Sequence, residues 1–507
     1  MNNLIIAPLL LPAIVAALIL LSRWRARRIG ATLSIAGCTV LLLIAIALFV
    51  TAYDGKIAVY EVGDWPAPFG IVLVLDRLSA LMLLLTSLLA LAILCHAVIT
   101  NLDRKGWHFH PLFHFLLLGL NGAFLTGDLF NLFVFFEVLL IASYGLMLHG
   151  QGAGRLKAGL QYVVINLVGS TLFLIGIGML YGVTGTLNMA DMALRISSLP
   201  PGDQGLARAG ALLLTVVFAL KAALLPLHIW LPHTYASTSP TVAALFAIMT
   251  KVGVYAIVRT SVLIFGTGAG AVAWAPAKWM LPSALLTVGV GFTGLLAARG
   301  LRDQAAFGVV GSTGTLLVAV SLFEPGAMAA AFYYLPHTTL TGALLFLVAD
   351  LVARRRPDYG DAITVGPRFA GIGSISALYL LAAIALVGMP PLSGFIGKLL
   401  ILTATAAHPA AGWIWATILV TTLVGIIGLS RSGSILFWKS STCHEALQAA
   451  PALVKRKELL PSAVLVALLA VLVLGGGDIV AYMDSMSAQL FAPQNYIEAV
   501  LGRQTGE

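Results

Sequence analysis

Residues 130–144 read Phe130-Asn-Leu-Phe-Val-Phe-Phe-Glu137-Val-Leu-Leu-Ile-Ala-Ser-Tyr144, one carboxylate in the middle of an apolar stretch. The apolar run covers 128–148, which puts Glu137 about nine residues from either end. A run of about 20 apolar residues is what a helix needs to cross a bilayer. A charged side chain at the bilayer centre costs about 2.5–3.5 kcal/mol on insertion scales, so each one there needs a reason.

The surrounding sequence repeats the apolar pattern. Of 507 residues, 60% are hydrophobic and 10% charged, where a soluble domain carries about 25% charged residues. Apolar runs lie at roughly 3–22, 29–52, 71–99, 111–126, 128–148, 158–182, 208–231, 240–265, 276–298, 304–323, 327–352, 371–406, 411–437 and 459–482, about fourteen in all. The expected fold class is an all-α polytopic membrane protein, and an ordinary soluble enzyme is excluded. Leu4 to Leu21 follows Met1-Asn-Asn without a basic residue, and its positive charge comes afterwards, in Arg23-Trp-Arg-Ala-Arg-Arg28. It reads as a retained first span.

The net charge of +9 arises in short loops, which points to membrane orientation and away from nucleic acid. Nineteen Lys and Arg fall in the loops after spans 1, 3, 5, 9, 11 and 13. Seven, namely Lys56, Arg77, Arg195, Arg208, Arg259, Lys278 and Arg503, fall in or beside the opposite set, and three lysines lie inside spans. Basic loops stay cytoplasmic, so both termini are expected on the periplasmic side of a bacterial inner membrane. Cys38, Cys95 and Cys443 are scattered, with no Cys-x-x-Cys. No cluster, zinc site or disulfide framework is implied, and no cofactor is expected.

Titratable groups inside the runs carry the functional reading. Besides Glu137 they are Lys221 before Leu225-Pro226, Lys251 in Phe246-Ala-Ile-Met-Thr-Lys251-Val-Gly253, His337 in Tyr333-Tyr-Leu-Pro-His337, and Lys398 in Pro391-Leu-Ser-Gly-Phe-Ile-Gly-Lys398. One acid and three lysines cannot all be neutralised by pairing. A plain reading gives Glu137 one lysine partner and leaves the rest snorkelling or packed. The functional reading is a proton relay: removal from water favours a neutral amine and a nearby carboxylate favours the ammonium, so making or breaking that contact loads or releases a proton. His228 and His233, at the cytoplasmic end of span 7, are candidate proton-entry groups or ordinary loop histidines. Asn166, Ser170 and Thr171 in span 6, and Ser312, Thr313 and Thr315 in span 10, read either as water-ordering groups or as helix–helix hydrogen bonds. Spans 7 and 12 each join a proline break to a buried lysine, five spans apart, and paired interrupted spans point to a transport site near the midplane.

These segments resemble the antiporter-like proteins shared by respiratory complex I and the Mrp cation/proton antiporters. The resemblance rests on Glu137 after the phenylalanine-rich run, Leu220-Lys221, Pro226-Leu-His-Ile-Trp-Leu-Pro232, Ser239-Pro-Thr-Val-Ala-Ala-Leu245, Thr250-Lys251-Val-Gly253 and Pro390-Pro-Leu-Ser-Gly-Phe-Ile-Gly-Lys398. It implies fourteen helices, broken helices 7 and 12, and two inverted five-helix repeats at 111–265 and 272–437, flanked by a three-helix segment at 1–110 and a C-terminal part at 438–507. By position, Glu137 and Lys221 look like a coupled pair, Lys251 a bridging lysine, His337 a link and Lys398 a terminal proton carrier.

Lysine at 398, threonine at 250 and 341, and the chain length look most similar to the D-type members of the Mrp antiporters, whereas His233 stands where complex I relatives carry an acid. The resemblance implies a secondary transporter component and not an enzyme, exchanging Na+ or K+ for protons beside A, B, C, E, F and G type partners in membrane lipid. The alternative is a proton-pumping membrane component of NADH:quinone oxidoreductase or a related hydrogenase.

Overall fold

The computed structural model describes residues 2–22, 27–439 and 456–502. Arg23, Arg25, Cys443, Lys455 and Arg503 lie outside the described residues. In chain order, α1 (Ala7–Leu21) and α2 (Arg27–Tyr53) precede a hairpin of β1 (Ala58–Glu61) and β2 (Val72–Leu75), which pair antiparallel from Ala58 opposite Leu75 to Glu61 opposite Val72. Then come α3 (Arg77–Ile99), α4 (Phe109–Leu125), α5 (Leu129–Met147), α6 (Ala153–Thr184), the short surface helix α7 (Met189–Ser197) and α8 (Pro201–Lys221). The next are α9 (Trp230–Ser237), α10 (Pro240–Phe246), α11 (Met249–Leu263), α12 (Ala277–Ala297), α13 (Leu301–Val320) and α14 (Pro325–Ala353). The chain closes with α15 (Ile372–Val387), α16 (Ser393–Ala404), α17 (Ala411–Gly433), α18 (Arg456–Leu474), α19 (Gly476–Leu490) and α20 (Pro493–Leu501).

The apolar runs are mostly helical. Among the described residues, 11 helices are long and apolar enough to cross a membrane on their own, and Ala7–Leu21, Phe109–Leu125, Ile372–Val387 and Ser393–Ala404 are shorter apolar helices. The expected breaks are present. Span 7 leaves helix at Lys221 and resumes through a 3-10 turn, Leu227–Ile229, into α9. Span 12 stops at Val387, turns through Gly388 at φ 75°, and restarts at Ser393.

Three boundaries differ from the sequence reading. Residues 72–75, inside the run 71–99, form a strand whose side chains are all buried, and helix begins only at Arg77, where the Asp76 carboxylate accepts from Ser79 N–H and the Ser79 hydroxyl accepts from Asp76 N–H. The run 459–482 is interrupted at Gly475. Span 8 tightens at Ala247 and Ile248, whose amides bond three residues back, to Ala244 and Leu245, although neither Gly nor Pro stands there.

Packing relies on small residues, because between helices in lipid there is no hydrophobic drive and close van der Waals approach takes its place. A Cβ on Gly119 of α4 would lie 2.6 Å from the Leu139 backbone amide of α5, and one on Gly314 of α13 would lie 2.7 Å from the Val288 amide of α12. Helix α14 is buried along its whole length from Ala327 to Val352 and packs against α10, α13, α15, α16, α18 and α19. Large apolar side chains such as Leu160, Val164 and Leu167 on α6, and Leu419 and Leu423 on α17, point outward and are exposed. In lipid that outward apolar face is the expected arrangement.

The loop count sets Arg259 in or beside the loops opposite the basic ones, although it falls within the run 240–265. Arg259 sits in the interior of α11 and donates to both carboxylate oxygens of Asp76, at 2.6 and 2.9 Å, with the Tyr255 hydroxyl 3.2 Å from the same guanidinium. It ties α3 to α11 and is no loop residue. Removing one partner of a buried pair leaves the other uncompensated, at a cost of about 3–5 kcal/mol. Asp76→Ala should therefore lower the thermal stability of the assembled, detergent-solubilised protein by about that amount, and Asp76→Leu combined with Arg259→Met should recover most of it. An unchanged melting curve for Asp76→Ala would remove the pair from the list of structural ties.

Candidate functional site

Five of the titratable residues singled out from the sequence, Glu137, Lys221, Lys251, His337 and Lys398, lie on five helices, α5, α8, α11, α14 and α16, each with a polar side-chain partner. Glu137 on α5 is half-buried and faces α6, where the Ser170 hydroxyl donates a short hydrogen bond to its Oε1. One turn earlier on α6, Asn166 offers its side-chain oxygen to Lys221 Nζ at 2.8 Å. Residues four apart share a helix face, so α6 presents a hydroxyl to the acid and an amide to the base. Among the described residues, none of the ion pairs includes Glu137, Lys221, Lys251 or Lys398. The Glu137–lysine contact of the plain reading is thus replaced by two hydrogen-bonded steps.

Lys221 is the last residue of α8, and the break that follows is closed by other groups. Trp230 Nε1 donates to the Leu220 carbonyl at 3.0 Å, and the Leu225 amide donates to Thr287 of α12 at 2.9 Å. Beside Lys221 lies a cavity of about 10 Å³ lined by Asn166, Tyr162, Trp230, Met249 and Val252 among others, about the least space that holds one water. Val252 and Met249 flank Lys251, which is wholly buried. The approach of α11 to this point needs Gly253, since a Cβ there would lie 2.6 Å from the Ala222 amide and 2.7 Å from the Phe218 carbonyl oxygen.

Lys251 Nζ donates to Thr250 at 3.2 Å and to Thr313 of α13 at 3.3 Å. The neighbouring Ser312 accepts from Thr338 of α14 at 2.6 Å, next to His337. His337 is also wholly buried; its Nδ1 meets the Ser393 hydroxyl at 2.9 Å and its Nε2 has no partner among the described residues. Ser393 opens α16, which carries Lys398. The Lys398 ammonium donates to the Val387 carbonyl, freed by the helix break, at 2.8 Å and to Thr422 at 2.7 Å, and it stands 5.2 Å from the centre of the Phe292 ring.

The row therefore runs from α5 through α6, α8, α11, α13 and α14 to α16 and α17. Asn166, Ser170, Thr313 and Ser312 belong to it, and spacing alone separates Thr171, which is exposed and bonds back to Leu167. Thr315 likewise bonds back to Gly311. Ser393 and Thr422 are additions; a signal for Ser393 was its place immediately after the break. The two entry candidates lie apart from the row: His228 is half-buried in the 3-10 turn and His233 is exposed on α9. Chemically, the arrangement offers side chains that gain and lose protons, joined by hydroxyls and an amide that accept and donate hydrogen bonds. Among the described residues, no group of three His, Cys, Asp or Glu is placed to hold a metal ion.

Comparison with known proteins gives a consistent result. Residues 126–426 match a family model described as "NADH:quinone oxidoreductase/Mrp antiporter, TM". The D component of a probable K(+)/H(+) antiporter from Rhizobium meliloti is 41% identical across 99% of this chain and 98% of its own length. The D component of a Na(+)/H(+) antiporter from Alkalihalophilus pseudofirmus is 36% identical across 99% and 100%. A chain in the structure of the Mrp complex from Dietzia sp. superposes with a TM-score of 0.85 at 29% identity, covering 99% of both chains.

The hydrogen bond from Lys221 to Asn166 can be isolated. Asn166→Leu leaves a buried ammonium without that acceptor, a loss of about 1.5–3 kcal/mol for a charged hydrogen bond, so proton flux through the assembled protein should fall at least tenfold. Thr171→Val, on the outward side of the same helix, should leave flux within twofold. Equal flux in the two variants would remove α6 from the row.

Proposed function

The chain belongs to the NADH:quinone oxidoreductase/Mrp antiporter membrane family, and from that premise we propose that it is the proton-translocating D component of a multi-subunit monovalent cation/proton antiporter. The observation that carries the reading is the row itself: five titratable groups inside spans, each bonded to a neutral polar side chain, with no direct ion pair among the described residues to lock any of them. A locked pair holds its proton. Groups separated by a hydroxyl, an amide or one water can pass it on.

In this reading Lys221, Lys251 and Lys398 alternate between ammonium and amine, His337 bridges Lys251 to Lys398 through Ser312, Thr338 and Ser393, and Glu137 biases the Lys221 end. Each lysine keeps an oxygen acceptor within reach, so charging it never leaves a bare ammonium in hydrocarbon. His228 and His233 are the proposed entry groups on the face of the basic loops; His233 lies within electrostatic reach of Asp303 at the start of α13. The protein's role is secondary transport, with Na+ or K+ as the exchanged cation and the A, B, C, E, F and G type proteins as neighbours in an inner membrane with both termini periplasmic.

The segments 111–265 and 272–437 are proposed as two inverted five-helix units within a fourteen-span chain. The support is their matched devices. Glycine contacts join α4 to α5 and α12 to α13, and each half ends its broken span at a lysine contact, Lys221 at the end of α8 and Lys398 on the last carbonyl of α15.

Two substitutions test the relay. Glu137→Ala, in a complex shown to assemble, should abolish cation-induced pH changes in everted membrane vesicles. Lys398→Arg keeps the charge but places a group that does not release its proton, and should lose exchange as fully as Lys398→Ala. Full exchange with arginine at 398 would mean that the residue serves only as a fixed charge.

A further inference from the structure

A second group of buried titratable side chains lies outside the row. His110 and His114 stand one turn apart on the face of α4 turned towards α2. Ser34 of α2 lies 2.9 Å from His114 Nε2, and a Cβ on Gly30 or Gly37 would fall 3.9 Å from the His110 ring or 3.4 Å from the His114 ring. Small residues at 30, 34 and 37 thus leave room for the two imidazoles. Asp103, in the turn Leu102–Lys105 that leads into α4, brings Oδ2 to 3.4 Å from His110 Nε2. Asp103, His110 and His114 are 8%, 7% and 1% exposed. Four of their atoms, Asp103 Oδ1, both His110 nitrogens and His114 Nδ1, have no hydrogen-bond partner among the described residues.

Buried polar atoms are almost always paired, by protein, water or ion. A cluster with one carboxylate and two imidazoles lacks a positive charge, and a proton supplies it: an imidazolium beside Asp103 turns an uncompensated buried carboxylate into an ion pair. A second proton is opposed, because like charges one turn apart on a helix repel. We propose that Asp103, His110 and His114 form a proton-binding site of their own, filled one proton at a time from the basic-loop face and separate from the row between Glu137 and Lys398.

The separation is geometric. Helix α4 meets α5 at Leu139 and Phe135, whereas Glu137 points to α6. Access is from the turn that carries Asp103, where Arg104 and Lys105 are exposed. The other groups facing the cluster do different work. Ser34 faces it from α2, α1 offers only aliphatic side chains, and on α3 His96 is bound to Asp350 at 2.9 Å. His149, beyond the end of α5, donates to the Leu102 carbonyl at 2.8 Å and braces the turn; burial, with Arg155 and Lys105 adding to it, outweighs the Leu102 bond and Asp103 and holds the imidazole below its ordinary range.

The paired state is the protonated one. An imidazolium–carboxylate contact exists only while the proton is bound, so whatever stability it adds belongs to the acid side. The test is the melting temperature of the purified, assembled complex as a function of pH, a readout that does not depend on transport. The native complex should lose several degrees as the pH is raised and the bound proton leaves. His110→Gln and Asp103→Asn should flatten that part of the curve, and Thr39→Val, on the exposed side of α2, should leave both its slope and its height intact. Curves for His110→Gln and Asp103→Asn that run parallel to the native one would overturn the proposal.

Discussion

The contact between the Lys398 ammonium and the carbonyl that Val387 loses from its helix concentrates the physics of this chain. A helix crossing lipid satisfies its own backbone; where it breaks, the freed carbonyls need donors and a buried ammonium needs acceptors. Each need is met by the other. The break therefore creates a place where a charge is tolerated inside the membrane, and the charge keeps the break from being a defect. The α8 break uses a different division: Trp230 and Thr287 take the freed backbone groups, which leaves Lys221 to find Asn166. That lysine is bound by one side chain, where Lys398 is bound by a carbonyl and a hydroxyl.

Long helix α6 gives the row its spacing. Its outward side is lipid-facing, with Leu160, Val164 and Leu167 exposed, and its inward side sets Asn166 and Ser170 one turn apart. The acid and the base are held near each other without touching. In a medium of low dielectric, a direct Glu137–Lys221 bond would be strong enough to trap the proton, and the interposed polar groups weaken it while still satisfying both ends.

Much of this was legible from the amino-acid order because the bilayer imposes long apolar runs and makes every interior charge conspicuous. The runs, the proline breaks and Glu137, Lys221, Lys251, His337 and Lys398 all stood out on that ground. What stayed hidden depends on three-dimensional pairing. The pairing of Arg259 has no sequence signal, because its partner, Asp76, is 183 positions away. The strand at Val72–Leu75 is as apolar as a helix and is told apart only by its pairing with β1. The tightening at Ala247–Ile248 carries no glycine or proline, and it lies where α10 and α11 pack against α3, α8 and α14. Asn166 and Ser170 were visible but indistinct from Thr171, since only the helix's rotation decides which side is inward.

Gly253 carries a wider implication. With α11 seated directly on the backbone at the end of α8, those two segments cannot draw closer, and any residue with a side chain at 253 would force them apart. The separation of Lys221 and Lys251 is in that sense machined into the backbone. In the proposed relay, what opens and closes passage between them is light: the rotation of an amine about its own stem, or the arrival of one water in the small cavity alongside. The proposed cycle, built on such movements, costs little reorganisation of the helices themselves.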